Sequence, residues 1–293
     1  MKAIKQLFFI TLYLTSMLNF CHAITIDDLG KTTVYIREQL NYYEMKGGRK
    51  FEVWLKDDET SELSPKLITK HGTGFLVLHN NHIYIVTAAH VAKDMSNKAE
   101  IIWNTASGEI RNFTIEDLEK KLPYSKWFFH PFADIAVHPF GFTEKTEHIL
   151  VPEELFIKKN EIVSLGTKVY VLGFPLNLGL QDTLSPISKK AEIASWITTI
   201  DYPNIRLDAK FILLDEDLAV GYSGAPVFIS PEPQMQGNKI VLTNSPPKLI
   251  GLQSGTIADQ TGGKISLVVP ITYLDEIFSS EEFKQYKAQI GIE

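Results

Sequence analysis

Three short segments of this 293-residue chain each carry one residue type that nucleophilic catalysis requires. Ile85-Val86-Thr87-Ala88-Ala89-His90-Val91 places a histidine just past an apolar, β-branched run, with small alanines leaving space around the ring. Ala133-Asp134-Ile135-Ala136-Val137 leads an acid directly into another such run. Val220-Gly221-Tyr222-Ser223-Gly224-Ala225-Pro226-Val227 sets a serine between glycines. A hydroxyl is a poor nucleophile at its own pKa and needs a neighbouring base. An imidazole, with a pKa near ~6.5, takes up and returns a proton near neutral pH. A carboxylate that accepts the other ring N–H fixes the tautomer and stabilises the imidazolium. Gly221 and Gly224 permit a tight backbone that can point two N–H groups at one developing oxyanion. The chemistry in reach is acyl transfer, with Ser223 as nucleophile, His90 as base and Asp134 as the group that orients it.

The order of these residues along the chain narrows the choice. In α/β-hydrolases the histidine follows the nucleophile. Here no histidine follows Ser223, and Ala225 breaks the Gly-x-Ser-x-Gly pattern. A subtilisin-like order requires an acid ahead of His90 and a parallel α/β body, and the segment pattern does not provide that body. The one cysteine, Cys21, lies near the start of the chain, which excludes a thiol nucleophile, an intrachain disulfide and a Cys-rich zinc site. A metal protein built on His71, His79, His82 and His90 is a different class; His79 and His82 flank a turn, and exposure accounts for them. No metal and no organic cofactor is expected.

The elements that must position these residues read as β-rich. Gly74 to His79 and His82 to Thr87 are apolar, β-branched and aromatic runs separated by Asn80-Asn81, which signals a hairpin. Further short strands are expected at Glu100–Trp103, Ile135–Val137, Lys168–Leu172, Arg206–Leu214, Ala225–Ile229, Lys239–Thr243, Leu249–Gln253 and Lys264–Val269. Strands at this spacing suggest a sandwich or barrel. A short helix is expected over Thr114–Lys121, where Thr114 followed by Glu116 and Asp117 resembles a capped start. A terminal helix is expected where Tyr273, Ile277, Phe278 and Tyr286 share a face, and Glu144–Lys159 reads as a crossover between two halves.

Composition places limits on function. With 44% hydrophobic residues, 22% charged and a formal net charge of −6, the chain is an ordinary folded protein rather than a disordered or multi-span one. The negative balance argues against nucleic-acid binding, which rests on Lys and Arg neutralising phosphates. Lys2 and Lys5, a mostly apolar stretch from Leu7 to Phe20, and Cys21-His22-Ala23 read as a cleavable export signal over residues 1–23. The stretch is short of the ~20 residues a spanning helix needs, so no stable membrane anchor is expected after cleavage. Cleavage removes Cys21, and the mature chain must hold together by its core. At this size a fold can bury about three quarters of its unfolded-chain surface.

These motifs, taken in order, resemble those of chymotrypsin/trypsin-like serine peptidases. Thr73-Gly74-Phe75 with Val86-Thr87-Ala88-Ala89-His90 resembles the family's histidine strand, Asp134-Ile135-Ala136-Val137 its aspartate motif, and Gly221-Tyr222-Ser223-Gly224-Ala225-Pro226 its nucleophile motif. Val171-Leu172-Gly173-Phe174-Pro175 is similar to a segment of disulfide-free bacterial members, including Deg-type proteases. Gly251-Leu252-Gln253-Ser254 is similar to the strand that carries the substrate backbone, where a serine supports the triad aspartate. The resemblance runs from about Gly72 to Ile277 and implies two six-stranded antiparallel β-barrels with a C-terminal helix. It divides the chain into an extension at 24–71, a first barrel at 72–150 with His90 and Asp134, a second at 151–272 with Ser223, and a helix at 273–293. It implies protein or peptide substrates, an oxyanion hole from the N–H groups of Gly221 and Ser223, and substrate contacts at Ser254 and Gly255. Asp217 stands where an acid selects Arg or Lys in trypsin-like members, although an acid at Asp215 would not line that pocket. Tyr222 replaces the aspartate that captures a new N-terminus in digestive members, so activation of that kind is not expected. A catalytically silent member of the fold that binds peptides or proteins is the alternative.

Overall fold

Two asparagines set the first half of the molecule. Asn80 and Asn81 both adopt positive φ, 48° and 62°, as a two-residue hairpin turn of the twist-matched kind requires. They join β2 (Leu67–His79) to β3 (His82–Thr87) in the expected register, with His79 opposite His82 and Gly74 opposite Thr87. The computed structural model describes residues 24–56, 63–142, 148–180, 183–200, 209–229, 234–236, 239–241 and 246–291. The expected export signal at 1–23 lies outside them.

Around this hairpin an eight-stranded sheet forms. Its further strands are β1 (Thr33–Asn41), β4 (Glu100–Asn104), β5 (Ile110–Thr114), β6 (Phe128–Phe129), β7 (Ala136–Phe142) and β8 (Val151–Pro152). The order is β6-β7-β3-β2-β1-β4-β5, antiparallel throughout, with β8 joining β2 in parallel. Residues 24–71, expected to be an extension, therefore supply a central strand: β1 pairs with β2 from Thr33 opposite Phe75 to Asn41 opposite Leu67. The boundary expected at residue 72 falls inside β2. Beyond β1 the chain continues as two ribbons, Tyr43–Lys46 with Arg49–Glu52 and Trp54–Lys56 with Leu63–Pro65, before it returns.

The second sheet has seven strands: β9 (Lys168–Gly173), β10 (Ile187–Glu192), β11 (Thr198–Thr199), β12 (Lys210–Leu214), β13 (Pro226–Ile229), β14 (Lys248–Ala258) and β15 (Lys264–Pro270). Their order is β10-β9-β13-β14-β15-β12-β11. Two multi-strand sheets, one in each half, accord with the expected double β-barrel fold, although neither ladder closes end to end. The expected strands Arg206–Leu214 and Lys239–Thr243 lie in part, at 206–208 and 242–243, outside the described residues. The crossover between halves is present from residue 148 on: Val151 pairs with Val77 of the first sheet, and the Ile157 N–H donates to Leu249 O of the second.

The described residues hold five α-helices: α1 (Ile26–Gly30), α2 (Ala89–Asp94), α3 (Ile115–Lys121), α4 (Thr272–Ser279) and α5 (Glu281–Gln289). Thr114 caps α3 through a reciprocal box with Asp117. The terminal helix is two helices, because Ser280 ends α4 and its hydroxyl caps α5 by accepting from Phe283 N. These helices follow the second sheet yet pack on the first. Phe283 is fully buried against Tyr84 and Phe128, and Phe278 stacks on His79 with ring centroids 3.8 Å apart. His79 is therefore an aromatic packing partner rather than an exposed turn residue. One continuous core joins Phe75, Ile85 and Phe128 of the first half to Phe228, Leu249 and Leu267 of the second. Among the described residues no helix is long and apolar enough to cross a membrane.

Candidate active site

The site lies where β3 ends, where β7 begins and where the second sheet meets both. Helix α2 starts within two residues of Thr87, so His90 falls in its first turn. N–H groups there have no intrahelical acceptor and need one from outside. Asp134 supplies it: its Oδ1 accepts from the His90 main-chain N–H at 2.8 Å, and its Oδ2 accepts from Nδ1 of the ring at 2.7 Å. With the Nδ1 hydrogen committed, the ring turns the lone pair of Nε2 outward. Ser254 Oγ adds a third hydrogen bond to the carboxylate, 2.6 Å to Oδ2. A bulge in β14 between Gln253 and Gly255 takes Ser254 out of the ladder and makes this reach possible.

The electrostatics follow from those contacts. Burial pulls the His90 pKa down, but the hydrogen bond and charge of Asp134, with Asp94 nearby, outweigh it and raise the pKa above 6.5. Burial pushes the Asp134 pKa up, yet the hydrogen bonds and charge it receives from His90, together with the Ser254 hydrogen bond, leave it lowered. The pair is thus a carboxylate beside an imidazole of increased basicity.

Ser223 sits on a loop held by its glycines. Gly221 has φ +106° and Gly224 φ +85°, and a Cβ would lie 2.4 Å from Phe174 O at the first and 2.0 Å from Thr73 O at the second. Only glycine fits such a path. Thr73, fully buried, fastens the loop to β2: its N–H donates to Ser223 O at 2.9 Å and its hydroxyl to Gly221 O at 2.7 Å. The same hydroxyl accepts from Phe174 N, and Thr87 Oγ1 donates to Thr73 O. Main-chain bonds from Gly224 N to Gln253 O and from Gln253 N to Ala225 O tie the loop to β14. Among the described residues the N–H groups of Gly221 and Ser223 donate to no protein acceptor. Ser223 Oγ donates to Ser254 O at 3.3 Å rather than to His90. In unliganded sites the bond between nucleophile and base is often loose and tightens with substrate.

The remaining expected residues separate. Ser254 belongs to the site through both its hydroxyl and its carbonyl, and Gly255 follows it on the bulge, with open space where a Cβ would point. Asp217 does not reach inward: its carboxylate binds Lys264 Nζ at 2.7 Å, and both side chains are half exposed. Tyr222 turns into the core and donates to Ile187 O, with burial pushing its pKa up to about 12. His71, His79 and His90 have separate surroundings: His71 lies against Gly221, His79 on Phe278 and His90 on Asp134. Among the described residues no group of three or more His, Cys, Asp or Glu is placed to hold a metal ion. Sequence reasoning missed Thr73 as the joint between sheet and loop. Its signal was a small hydroxyl residue between glycines, which many turns share.

A cavity of about 350 Å³ opens beside the pair, between Phe132 of the first half and Phe211 of the second, with His90, Lys93 and Ser254 on its wall. The family described as trypsin-like peptidase domain matches residues 72–232. No curated protein matches the chain. Solved structures similar to it include that of Deg5, 17% identical, with a TM-score of 0.51 over 86% of this chain and 88% of that one. The MamO protease domain of Magnetospirillum magneticum is 13% identical, with a TM-score of 0.50 over 87% of this chain and 100% of its own. The HtrA-type protease AlgW with a decapeptide is 14% identical, with a TM-score of 0.51 over 87% of this chain and 66% of its own. At such identities the likeness is one of fold.

Proposed function

The chain belongs to the trypsin-like peptidases, and from that premise we propose that it is an exported serine endopeptidase working through His90, Asp134 and Ser223 and an acyl-enzyme intermediate. The observation that carries the reading is the Asp134 carboxylate: it holds His90 by both ring and main chain, with Ser254 completing its hydrogen bonds. In this reading His90 Nε2 takes the proton of Ser223 Oγ as the oxygen attacks the scissile carbonyl. The carbonyl oxygen becomes an oxyanion facing the N–H groups of Gly221 and Ser223. His90 then returns the proton to the leaving amine, and water repeats the sequence to release the acyl group. A peptide bound to an HtrA-type relative of the same fold supports protein or peptide substrates, and the signal-like segment at residues 1–23 supports export. With Asp217 bound to Lys264, recognition of basic residues by that carboxylate is not part of the reading.

The test is a fluorophosphonate probe with the parent and Ser223→Ala. The parent is expected to be labelled, and the variant to lose both label and casein hydrolysis, by on the order of a millionfold in kcat. An unlabelled, inactive parent would favour the other reading, a silent member of the fold that binds peptides. The Ser223–Ser254 hydrogen bond is the observation on that side.

A further inference from the structure

His130 is buried close to Asp134, and none of the steps above uses it. It opens the tight turn that delivers Asp134: the His130 N–H donates to Ile135 O, and Ile135 N donates to Ala133 O. Inside the turn, His130 Nδ1 accepts two main-chain N–H groups, from Phe132 at 3.2 Å and from Ala133 at 2.9 Å. An atom that accepts twice carries a lone pair, so the one hydrogen of the neutral ring is on Nε2. Nε2 faces Glu276 Oε2 of α4 at 3.0 Å. The ring also packs on Tyr273 of the same helix, with centroids 4.6 Å apart. Tyr273 OH in turn accepts from Lys210 N, which anchors the helix to the start of β12.

We propose that His130 is a positioning residue for Asp134, holding the turn that carries the carboxylate, and that helix α4 sets this hold through Glu276. The proposal rests on the catalytic reading above. Glu276 is the charged group facing the ring, and its acceptor oxygen ties to α4 the Nε2–H that the two main-chain donors already require. Without it the ring loses its tie to α4 and can tilt away from the two main-chain N–H donors. The turn would loosen and Asp134 would shift from His90. The C-terminal helix thereby acts on the chemistry at a distance, through one buried ring and no contact with substrate.

The test uses the full chain with His130→Ala, His130→Asn and Glu276→Ala, each made alone and together with Ser223→Ala. Asn places Oδ1 where His has Nδ1 and accepts from residues two and three ahead, so it restores the turn without reaching Glu276. Misplacing a catalytic group by about 1 Å can cost 10²-fold. His130→Ala is therefore expected to lose on the order of 10- to 100-fold in kcat with KM unchanged, and His130→Asn to recover most of it. Glu276→Ala should lose several-fold. In the Ser223→Ala background, NMR titration of the His90 ring should show its midpoint moving to lower pH in His130→Ala and Glu276→Ala, because Asp134 no longer supports the imidazolium. A merely structural role would lower thermal stability and leave that midpoint in place. A His90 midpoint matching the parent in the exposed-site variant Glu276→Ala overturns the proposal, even where His130→Ala fails to fold. The titration needs no turnover. An unlabelled parent would therefore count against the catalytic reading, and a fixed His90 midpoint against the role of His130.

Discussion

Asp134 binds His90 at two points, which both orients the ring and favours its protonated form. In the proposed reaction the base must be neutral to accept the proton of Ser223, so activity is expected to fall as pH drops through the folded-state pKa of His90. Because that pKa is raised, the acid limb of kcat/KM is expected at a midpoint above 6.5. Asp134→Asn should move the limb to lower pH and reduce kcat by on the order of 10⁴-fold. Rate profiles from about pH 5 to 9 check both effects; a limb at or below 6.5 in the parent would contradict the observed pairing. At this scale the sequence was informative because the chemistry restricts residue types. Few arrangements of His, Asp and Ser in one chain order meet a glycine-flanked nucleophile. The roles of Thr73 and His130 were not legible. Each acts through hydrogen bonds to main-chain groups distant in sequence or hidden in a turn, and a threonine or histidine alone does not announce them.

At the scale of elements, the hairpin β2–β3 matters most, since its second strand ends two residues before α2 and thus sets His90. Asn81 holds φ at 62° in its turn. A β-branched residue there bears the left-handed cost of roughly 1–2 kcal/mol. Asn81→Val is expected to lower unfolding free energy by about that much while leaving kcat unchanged well below the melting temperature; chemical denaturation alongside steady-state kinetics checks it. A loss of kcat without loss of stability would mean that the turn does more than close the hairpin. This hairpin and helix α3 were readable because their signals are local: two turn residues between β-branched runs, and a capping threonine. Strand β1 was not. Its first four residues are buried between β2 and β4, while its second half is mostly polar, with Glu38 buried and Gln39 and Asn41 exposed, so neither alternation nor a continuous apolar run marks it. The break at Ser280 was missed because Ile277, Phe278 and Tyr286 all pack inward on both sides of it.

For the whole molecule, stability without disulfides rests on a core shared by both halves and closed by α4 and α5, with a second cluster around Val171 and Val227 inside the second half. Within the first sheet His138 is fully buried, bonded through Nδ1 to Pro139 O, and burial brings its pKa down to about 4. The folded state thus keeps this ring neutral where the unfolded chain, at about 6.5, would protonate it. Its contribution to stability is complete above about 6.5 and is lost as pH falls through this window towards 4, by up to ~3 kcal/mol. Equilibrium unfolding at several pH values should show this decline, and His138→Leu should flatten it. An equal slope in the variant would assign the acid sensitivity elsewhere.

What the sequence by itself determined was the β-rich class and the order along the chain of the candidate reacting groups, because these depend on residue type and near-neighbour pattern. The tertiary structure alone decided which other groups surround them. Asp217 went to Lys264 and residues 33–41 to the middle of a sheet, whereas the Ser254–Asp134 contact was already implied by the resemblance. Helix α4 came to rest against His130. Each outcome is set by pairing and packing between distant segments, where the competing partners are spread along the chain and only the folded geometry selects among them.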